Sequence, residues 1–385
     1  MKVCFETFGC RLNRAEALQT EADYLAQGWT TTDSPSDAHL IVVRGCSVTA
    51  RAQRDCERLI EHLRLKYPSK RLVVTGCLPG AQREIRPTVP DAVPVRTARA
   101  YLKVQDGCNA ACTFCIVPTF RGRSVSVPFG QVLDRARRFI DAGYHELVVT
   151  GCNLSQYAAD GKRLVDLLEA LARICAPACR IRLGSLEPVP AARDIVALMA
   201  ENAAFCRFLH LPVQSNADLV LRAMHRPYTS ADVEAILKDA LERLPFLGLG
   251  CDLMTGFPGE TEYDFLRTEV LLAHFPFSKV HIFPYSERPG TAATGFGGVV
   301  PREVRLERAR RLSKIAEAAR ARFAGKFVGR DVTLVVEDAA HTAGWTGEYL
   351  WCRAASTCKA SAVRKELRTL RVVKTEGDTL VGVPL

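Results

Sequence analysis

The chain has 385 residues, 48% of them apolar and 24% charged, with a formal net charge of +10. That length exceeds one ordinary core and predicts two or three domains, and the composition is globular rather than disordered or fibrous. No apolar run reaches the roughly 18 residues of a membrane span, and the opening Met1-Lys2-Val3-Cys4-Phe5-Glu6, with Arg11 and Arg14 behind it, lacks the apolar core of a signal peptide. A cytoplasmic protein is therefore expected. Fifteen cysteines in a reducing compartment argue for metal or cluster binding by some of them, not for a disulfide framework. The positive charge favours polyanionic partners.

Three strand-like runs open the chain, each ending at glycine and cysteine. Lys2 to Phe8 leads into Gly9-Cys10, His39 to Val43 into Arg44-Gly45-Cys46, and Arg71 to Thr75 into Gly76-Cys77. Apolar residues at helical spacing lie between them, over Arg14 to Gln27 and Thr49 to Lys66. The alternation predicts a parallel sheet with right-handed crossovers. Ligands of such sheets sit beyond the carboxyl ends of the strands, so Cys10, Cys46 and Cys77 are expected to converge there, with glycines permitting tight turns beside them. The alternative is three structural cysteines after strands. Residues 78–100, with Pro79, Pro87, Pro90, Pro94, Arg83, Arg86, Arg96 and Arg99, read as a linker or short edge element.

From Tyr101 a regular alternation begins. Strands are predicted at Tyr101–Gln105, Glu146–Thr150, Arg180–Gly184, Phe208–Val213, Leu247–Thr255 and Lys279–Pro284. Helices are predicted at Phe129–Ala142, Leu164–Arg173, Ala191–Glu201, Asp232–Leu244 and Tyr263–Ala273. Six such units imply an open, partial barrel, whose chemistry belongs at the carboxyl ends of its strands. The loop after the first strand holds Cys108, Cys112 and Cys115 as Cys-x3-Cys-x2-Cys, with no fourth cysteine nearby. A four-iron cluster takes four thiolates; three leave one iron open to a ligand that is not protein, as a catalytic metal keeps an open position. A zinc knuckle or buried thiols are the alternative, although the spacing does not match common zinc pairs. The later loops carry Thr150-Gly151-Cys152-Asn153, Ser185-Leu186-Glu187-Pro188, Gln214-Ser215-Asn216 and Gly256-Phe257-Pro258-Gly259.

A helix is expected over Pro301–Phe327, with proline in the first turn where helices accept it. Between Arg302 and Arg322 it bears eight cations, Arg308 and Arg311 among them, against three acids. That is either a solvated face or a surface for phosphates. Short strands follow at Asp331–Glu337, Glu348–Cys352, Leu370–Lys374 and Thr379–Val383, the texture of a small antiparallel barrel. Trp345, Tyr349 and Trp351 are candidates to stack on unpaired bases, with at least one of them expected in the core. Cys4, Cys56, Cys175, Cys179, Cys206 and Cys251 read as buried thiols, and Cys352 and Cys358 as free ones.

The Cys108–Cys115 motif, with Phe114 before its last cysteine, resembles that of the radical S-adenosylmethionine (SAM) superfamily. Gly9-Cys10-Arg11-Leu12-Asn13, Gly45-Cys46-Ser47-Val48-Thr49 and Thr75-Gly76-Cys77 look like the cysteine motifs of the methylthiotransferase amino-terminal domain. Arg44-Gly45 stands where that family usually has Asn-Thr, and Cys152 where valine is common. Gly344-Trp345-Thr346-Gly347-Glu348-Tyr349 and Gly377 to Gly382 resemble the TRAM domain, an OB-like RNA-binding barrel. The resemblance implies an α/β protein of three domains: cluster domain 1–96, radical SAM domain 97–326 with a (β/α)6 barrel, and TRAM domain 327–385.

It implies two 4Fe-4S clusters, on Cys10/Cys46/Cys77 and on Cys108/Cys112/Cys115, each with one open iron, and SAM near Phe114, Gly151, Ser185, Glu187 and Gln214. The expected reaction replaces an aromatic C–H by C–S–CH3, a step without acidic proton or leaving group, so the cofactors carry it and no side-chain acid or base is assigned. Asn216, where glycine is usual, is expected to support a left-handed turn. The implied partners are tRNA at its anticodon stem-loop and an electron donor, with neither membrane nor DNA. Trp345, Tyr349, Arg308 and Arg311 are the candidate RNA contacts. Gly9 to Asn13, Leu102 to Asn109 and His281 to Ser286 look most like the branch acting on N6-threonylcarbamoyladenosine. Isopentenyladenosine and a ribosomal-protein aspartate are the alternatives, and a two-cluster electron carrier is the reading outside enzymes.

Overall fold

The computed structural model describes residues 1–81, 97–355 and 362–385. Most of the 78–100 linker and Cys358 lie outside the described residues. Lys2–Thr7, Leu40–Gly45 and Arg71–Gly76 form a parallel sheet, with the short Thr30–Thr31 strand beyond Lys2–Thr7. The central strand is buried throughout, as its unbroken run Leu40-Ile41-Val42-Val43 requires when helices cover both faces. Helices Arg11–Ala26 and Ala50–Lys66 make the crossovers. The first begins three residues earlier than its apolar period indicates, because the polar Asn13 is buried within its first turn. The second starts on a cap in which the Thr49 hydroxyl accepts from the Ala52 N–H at 3.1 Å.

Six parallel strands follow in the expected order, in two sheets. Ala100–Lys103, Glu146–Thr150 and Arg180–Leu183 form one; Phe208–Gln214, Gly248–Thr255 and Phe277–Pro284 form the other. Bridges at Ile181–Phe205 and Ser185–His210 join them. Ala100–Lys103 and Phe277–Pro284 remain as the two edges of an open barrel. Helices Phe129–Asp141, Leu164–Cys175, Ala191–Glu201, Ser230–Arg243 and Glu262–His274 bury their apolar faces on it, through residues such as Phe139, Leu168, Val196, Leu237 and Leu272. Two helices cover the edges. Arg302–Gly325 packs along Phe277–Pro284, and Ala15 and Leu18 of the first helix pack on Tyr101 and Val148. Among the described residues no helix is long and apolar enough to cross a membrane.

The carboxyl-terminal strands Asp331–Asp338, Ala343–Thr346, Trp351–Ala354, Leu367–Glu376 and Thr379–Pro384 close a five-stranded barrel. It is antiparallel except where Trp351–Ala354 and Thr379–Pro384 pair in parallel. Ala343–Thr346 is a strand that propensity did not indicate. Gly344 permits it, since a Cβ there would stand 1.8 Å from the Val335 carbonyl oxygen. Glu348-Tyr349-Leu350, expected to begin a strand, instead belongs to the turn, with Tyr349 left-handed at φ 66°.

That turn docks on the amino-terminal ends of the larger barrel's strands. Arg180 donates to the Thr333 and Trp345 carbonyls at 2.8 and 2.9 Å, and Arg182 to those of Thr346 and Gly347 at 2.7 and 3.1 Å. Glu146 receives the Nε of each arginine at 2.7 Å. Burial raises the Glu146 carboxyl, but Arg182, Arg180 and Arg99 outweigh it and hold it well below the usual range. Charges buried this deeply are tolerable only when every donor and acceptor is met.

Candidate active site

Cys10, Cys46 and Cys77 lie at the carboxyl edge of the first sheet, where the strand order predicts them. Cys10 is exposed and caps the first helix, whereas Cys46 and Cys77 are buried. Gly9 has φ 94°, and a Cβ there would stand 2.8 Å from the Cys46 Cβ and 2.9 Å from its Sγ. Gly76, at φ 91°, approaches the Gly45 carbonyl as closely. Both glycines therefore let the cysteine loops close on one another. Burial first, then the neighbouring Cys10 and Cys77, pushes the Cys46 thiol up to about 11. Three grouped thiols suit a metal centre, because coordination deprotonates a thiol outright. Cys56 is no fourth ligand: its sulfur accepts from the Cys46 N–H at 3.4 Å and donates to the Cys46 carbonyl at 3.8 Å.

The second triad sits on the loop after Ala100–Lys103. Gly107, at φ 67°, makes the turn possible, since a Cβ would stand 2.0 Å from the Arg123 carbonyl oxygen. Burial, and then Cys112 and Cys108, pushes the Cys115 thiol up to about 12. Arg226 donates to the Cys112 sulfur at 3.1 Å and to Glu187 at 2.5 Å, a cation placed to favour the thiolate. The donor set and its cradle thus fit a cluster at each triad.

Two side chains that sequence reasoning passed over organise these loops. Fully buried Gln105 donates to the Gly107 carbonyl at 2.7 Å and to Ser124 at 2.8 Å, and accepts from the Asn153 N–H at 2.9 Å. It ties the cysteine loop to the next strand's loop. Arg121 ties the two triads together. Its Nε donates to the Cys77 sulfur at 3.0 Å, and its other nitrogens to Asp106 at 2.9 Å, Asn13 at 2.7 Å and Glu16 at 2.9 Å. Asp106 directly precedes Gly107-Cys108. Lys103 completes the network on Glu16 and Asp106 at 2.5 and 2.6 Å. Arg44, which departs from the usual motif, joins Glu16 at 2.8 Å. No spacing rule reveals these partners, because each pair comes from elements distant in sequence.

Of the residues expected near SAM, Glu187 is half-buried on Arg226. Ser185 is exposed at the bridge to His210. Gly151 lies against Gln105, whose Oε1 would be 2.8 Å from an added Cβ. Phe114 packs edge-on to Phe257 at 6.4 Å, in an apolar cluster with Met224 and Tyr285. Gln214 is buried and carries the left-handed backbone, φ 66°, that Asn216 was expected to adopt. Asn216 instead donates its N–H to Thr268 at 3.0 Å. Cys152 is half-buried beside Asp106. Its sulfur donates to Asp106 at 3.5 Å. Cys4, Cys175, Cys179 and Cys251 are core residues, as read.

The four candidate RNA contacts all have partners within the protein. Tyr349 is buried, its ring stacked at 4.7 Å on Phe208 and 4.8 Å on Trp345, with Arg182 4.8 Å from its centroid. Trp345 is half-buried between Tyr349 and Trp351. Both rings help dock the small barrel. Arg308 is buried on Glu260 at 2.7 Å, and Arg311 holds Glu269 at 2.6 Å and Glu262 at 2.7 Å. Their counter-ions come from the loop and helix before Phe277–Pro284, whereas Arg302, Arg310, Lys314 and Arg322 of the same helix are exposed and pair with no carboxylate among the described residues.

Residues 102–272 match the family model described as Radical SAM superfamily, and residues 2–93 that of Uncharacterized protein family UPF0004. The chain is 29% identical to threonylcarbamoyladenosine tRNA methylthiotransferase MtaB of Aquifex aeolicus, over 88% of this chain and 93% of that protein. It is 30% identical to tRNA-2-methylthio-N(6)-dimethylallyladenosine synthase of Methylacidiphilum infernorum, over 100% and 94%. Among solved structures it is similar in fold to the radical SAM methyltransferase TsrM of Kitasatospora setae, with a TM-score of 0.54, 14% identity and 76% of each chain covered. The radical SAM match carries SAM and a 4Fe-4S cluster with it, and the methylthiotransferase matches a second cluster. Aligned along its whole length with such enzymes, this chain belongs to the radical SAM tRNA methylthiotransferases.

Proposed function

We propose that this enzyme converts N6-threonylcarbamoyladenosine beside the tRNA anticodon into its 2-methylthio derivative. The observation that carries the reading is the pair of three-thiol sets joined through Arg121 and Asp106. In this reading Cys108, Cys112 and Cys115 hold one cluster and Cys10, Cys46 and Cys77 the other. When bound, the clusters and SAM supply the one-electron cleavage, the hydrogen abstraction and the sulfur and methyl groups. The chain's own part is positional. Gln105 and Gly107 shape the first loop, Arg226 and Glu187 set charge beside it, and Ser185, Gly151, Gln214 and Phe114 surround the SAM site.

Identity does not separate the two tRNA substrates, since relatives of both names match about equally. Asp106 favours the threonylcarbamoyl branch, because the isopentenyl branch usually has arginine there. An arginine would stand beside Lys103 and Arg121, which Asp106 now neutralises. The proposed division is residues 1–96, 97–326 and 327–385, the last a TRAM-like RNA-binding module, with a separate electron donor as partner. Nucleoside mass spectrometry of tRNA from a deletion strain tests the reading. Loss of 2-methylthio-N6-threonylcarbamoyladenosine alone is expected. Unaltered tRNA nucleosides, or loss of the isopentenyl derivative instead, would refute it.

A further inference from the structure

The buried and half-buried cations around the barrel lumen are mostly spoken for. Arg99, Arg180 and Arg182 share Glu146, Arg226 has Glu187, and Arg320 holds Asp378 at 2.7 Å. Two are not. Arg11 and Lys279 are half-buried, and among the described residues no carboxylate lies within ion-pair distance of either. They come from different parts of the chain, Arg11 from the first turn of the first helix and Lys279 from the edge strand of the open barrel. Both converge on one ring: the Arg11 guanidinium lies 5.3 Å and the Lys279 ammonium 5.8 Å from the Tyr349 centroid. Burial lowers the Lys279 ammonium; the Tyr349 phenol and Asp378 oppose that, while Arg320 and Arg11 add to it. Asp252, the acid of this wall, is already bound by His210 at 3.1 Å and His281 at 2.9 Å. Two like charges sharing a partly desolvated space without a counter-ion form a site that an anion would complete.

We propose that Arg11 and Lys279 form a carboxylate-binding subsite that takes the terminal carboxylate of the substrate's N6 substituent, flanked by the Tyr349 ring. The inference rests on the reading that a modified adenosine is the substrate, and it decides which one. The threonylcarbamoyl group ends in a carboxylate, whereas the dimethylallyl group ends in two methyls that would leave both cations dehydrated and unpaired. Its position is apt, because Arg11 follows Cys10 directly. A substituent anchored there holds its base beside the triad proposed to carry the sulfur. Arg11 and Lys279 are therefore specificity residues and take no part in bond making.

The test uses the reconstituted enzyme and anticodon stem-loop RNAs that differ only at the N6 substituent: threonylcarbamoyl, its methyl ester, and dimethylallyl. Dissociation constants by fluorescence anisotropy and kcat/KM are measured for each. The wild type is expected to favour the free acid over the ester by about tenfold to a hundredfold, the range of a hydrogen bond to a charged group. Lys279→Met and Arg11→Met are expected to lose that preference while binding the ester as the wild type does, and Lys279→Arg to recover it. A wild type that binds acid and ester equally overturns the proposal. So do variants that weaken both RNAs alike with a shallower salt dependence, which would assign the cations to RNA phosphates. Turnover of the dimethylallyl RNA in preference would overturn the substrate reading and the subsite with it. Turnover of the threonylcarbamoyl RNA by variants that keep the wild-type preference for the acid over the ester would overturn the subsite alone.

Discussion

Replacing Gly9 by alanine tests whether Cys10, Cys46 and Cys77 work as one centre. At φ 94° a side chain is strained in any surroundings, at about 1–3 kcal/mol. The added methyl would also meet the Cys46 Cβ at 2.8 Å, its Sγ at 2.9 Å and the Asn13 Nδ2 at 3.2 Å. None of these is the far end of a flexible chain. Cys46 is short and buried, and Asn13 is held by the Phe8 and Gly45 carbonyls at 2.9 and 2.8 Å. Overpacking of this kind costs about 1–3 kcal/mol more, and relieving it must move the Cys46 sulfur. Gly80→Ala is the control, since Gly80 is also left-handed, at φ 71°, but has nothing within 4 Å. After anaerobic reconstitution, Gly9→Ala is expected to bind roughly half the wild-type iron, as loss of one of two equal clusters requires. It should still cleave SAM to 5′-deoxyadenosine but lose most methylthio product. Gly80→Ala should keep both clusters. Full iron and full product formation in Gly9→Ala would refute the assignment of these cysteines.

Gln105→Leu should abolish SAM cleavage while the other cluster's iron persists. It strands the Asn153 N–H and the Gly107 carbonyl, at about 1–3 kcal/mol each, and persistence of deoxyadenosine formation would count against the hub. Glu146→Gln should cost about 3–5 kcal/mol by leaving buried arginines short of charge, read as a fall in the thermal midpoint. The Glu146 carboxyl lies below its unfolded value, so its contribution is present above about pH 4.3 and fades as pH falls below that. The variant should accordingly lose stability less steeply in acid than the wild type, and parallel acid profiles would refute this. Arg311→Met should leave the salt dependence of tRNA binding unchanged, because its charge is spent on Glu262 and Glu269; a shallower slope would restore it to the RNA surface.

The order of the six barrel strands was legible because each apolar run is short, bounded and followed by a helix of clear period. The cysteine loops were legible for the same reason, since a parallel sheet sends every such loop to one edge. What the chain order could not convey is which side chain meets which across that edge. Arg121 reaches Cys77 from 44 residues away, and nothing in either segment marks the pair. Gln214 and Tyr349 adopt left-handed backbone without being glycine or asparagine, so turn propensity pointed elsewhere. Trp345 and Tyr349 have the composition of a base-stacking surface. The same flat, amphipathic rings also serve to dock one barrel on another, and only the position of Phe208 and Arg182 decides between the two uses.

Charge shows the same limit. Arg308 and Arg311 stand on a helix rich in cations, which suggested phosphate contacts, yet Glu260, Glu262 and Glu269 meet them from outside that helix. Arg11 stands on a helix that gave no such signal, and among the described residues it is left without an acid beside Lys279. The number of cations on an element thus measures little. A cation is available to a ligand only if the fold brings it no carboxylate, and that property belongs to pairs of elements. Hence a chain with a net charge of +10 can commit Arg305, Arg308, Arg311 and Arg320 of its densest basic helix to acids from outside that helix, while among the described residues Arg11 and Lys279 have no such acid. An excess of charge on the whole chain draws RNA toward the protein. Two half-buried cations with no carboxylate partner among the described residues, one of them (Arg11) adjacent to Cys10, are instead placed to select which modified base is held there.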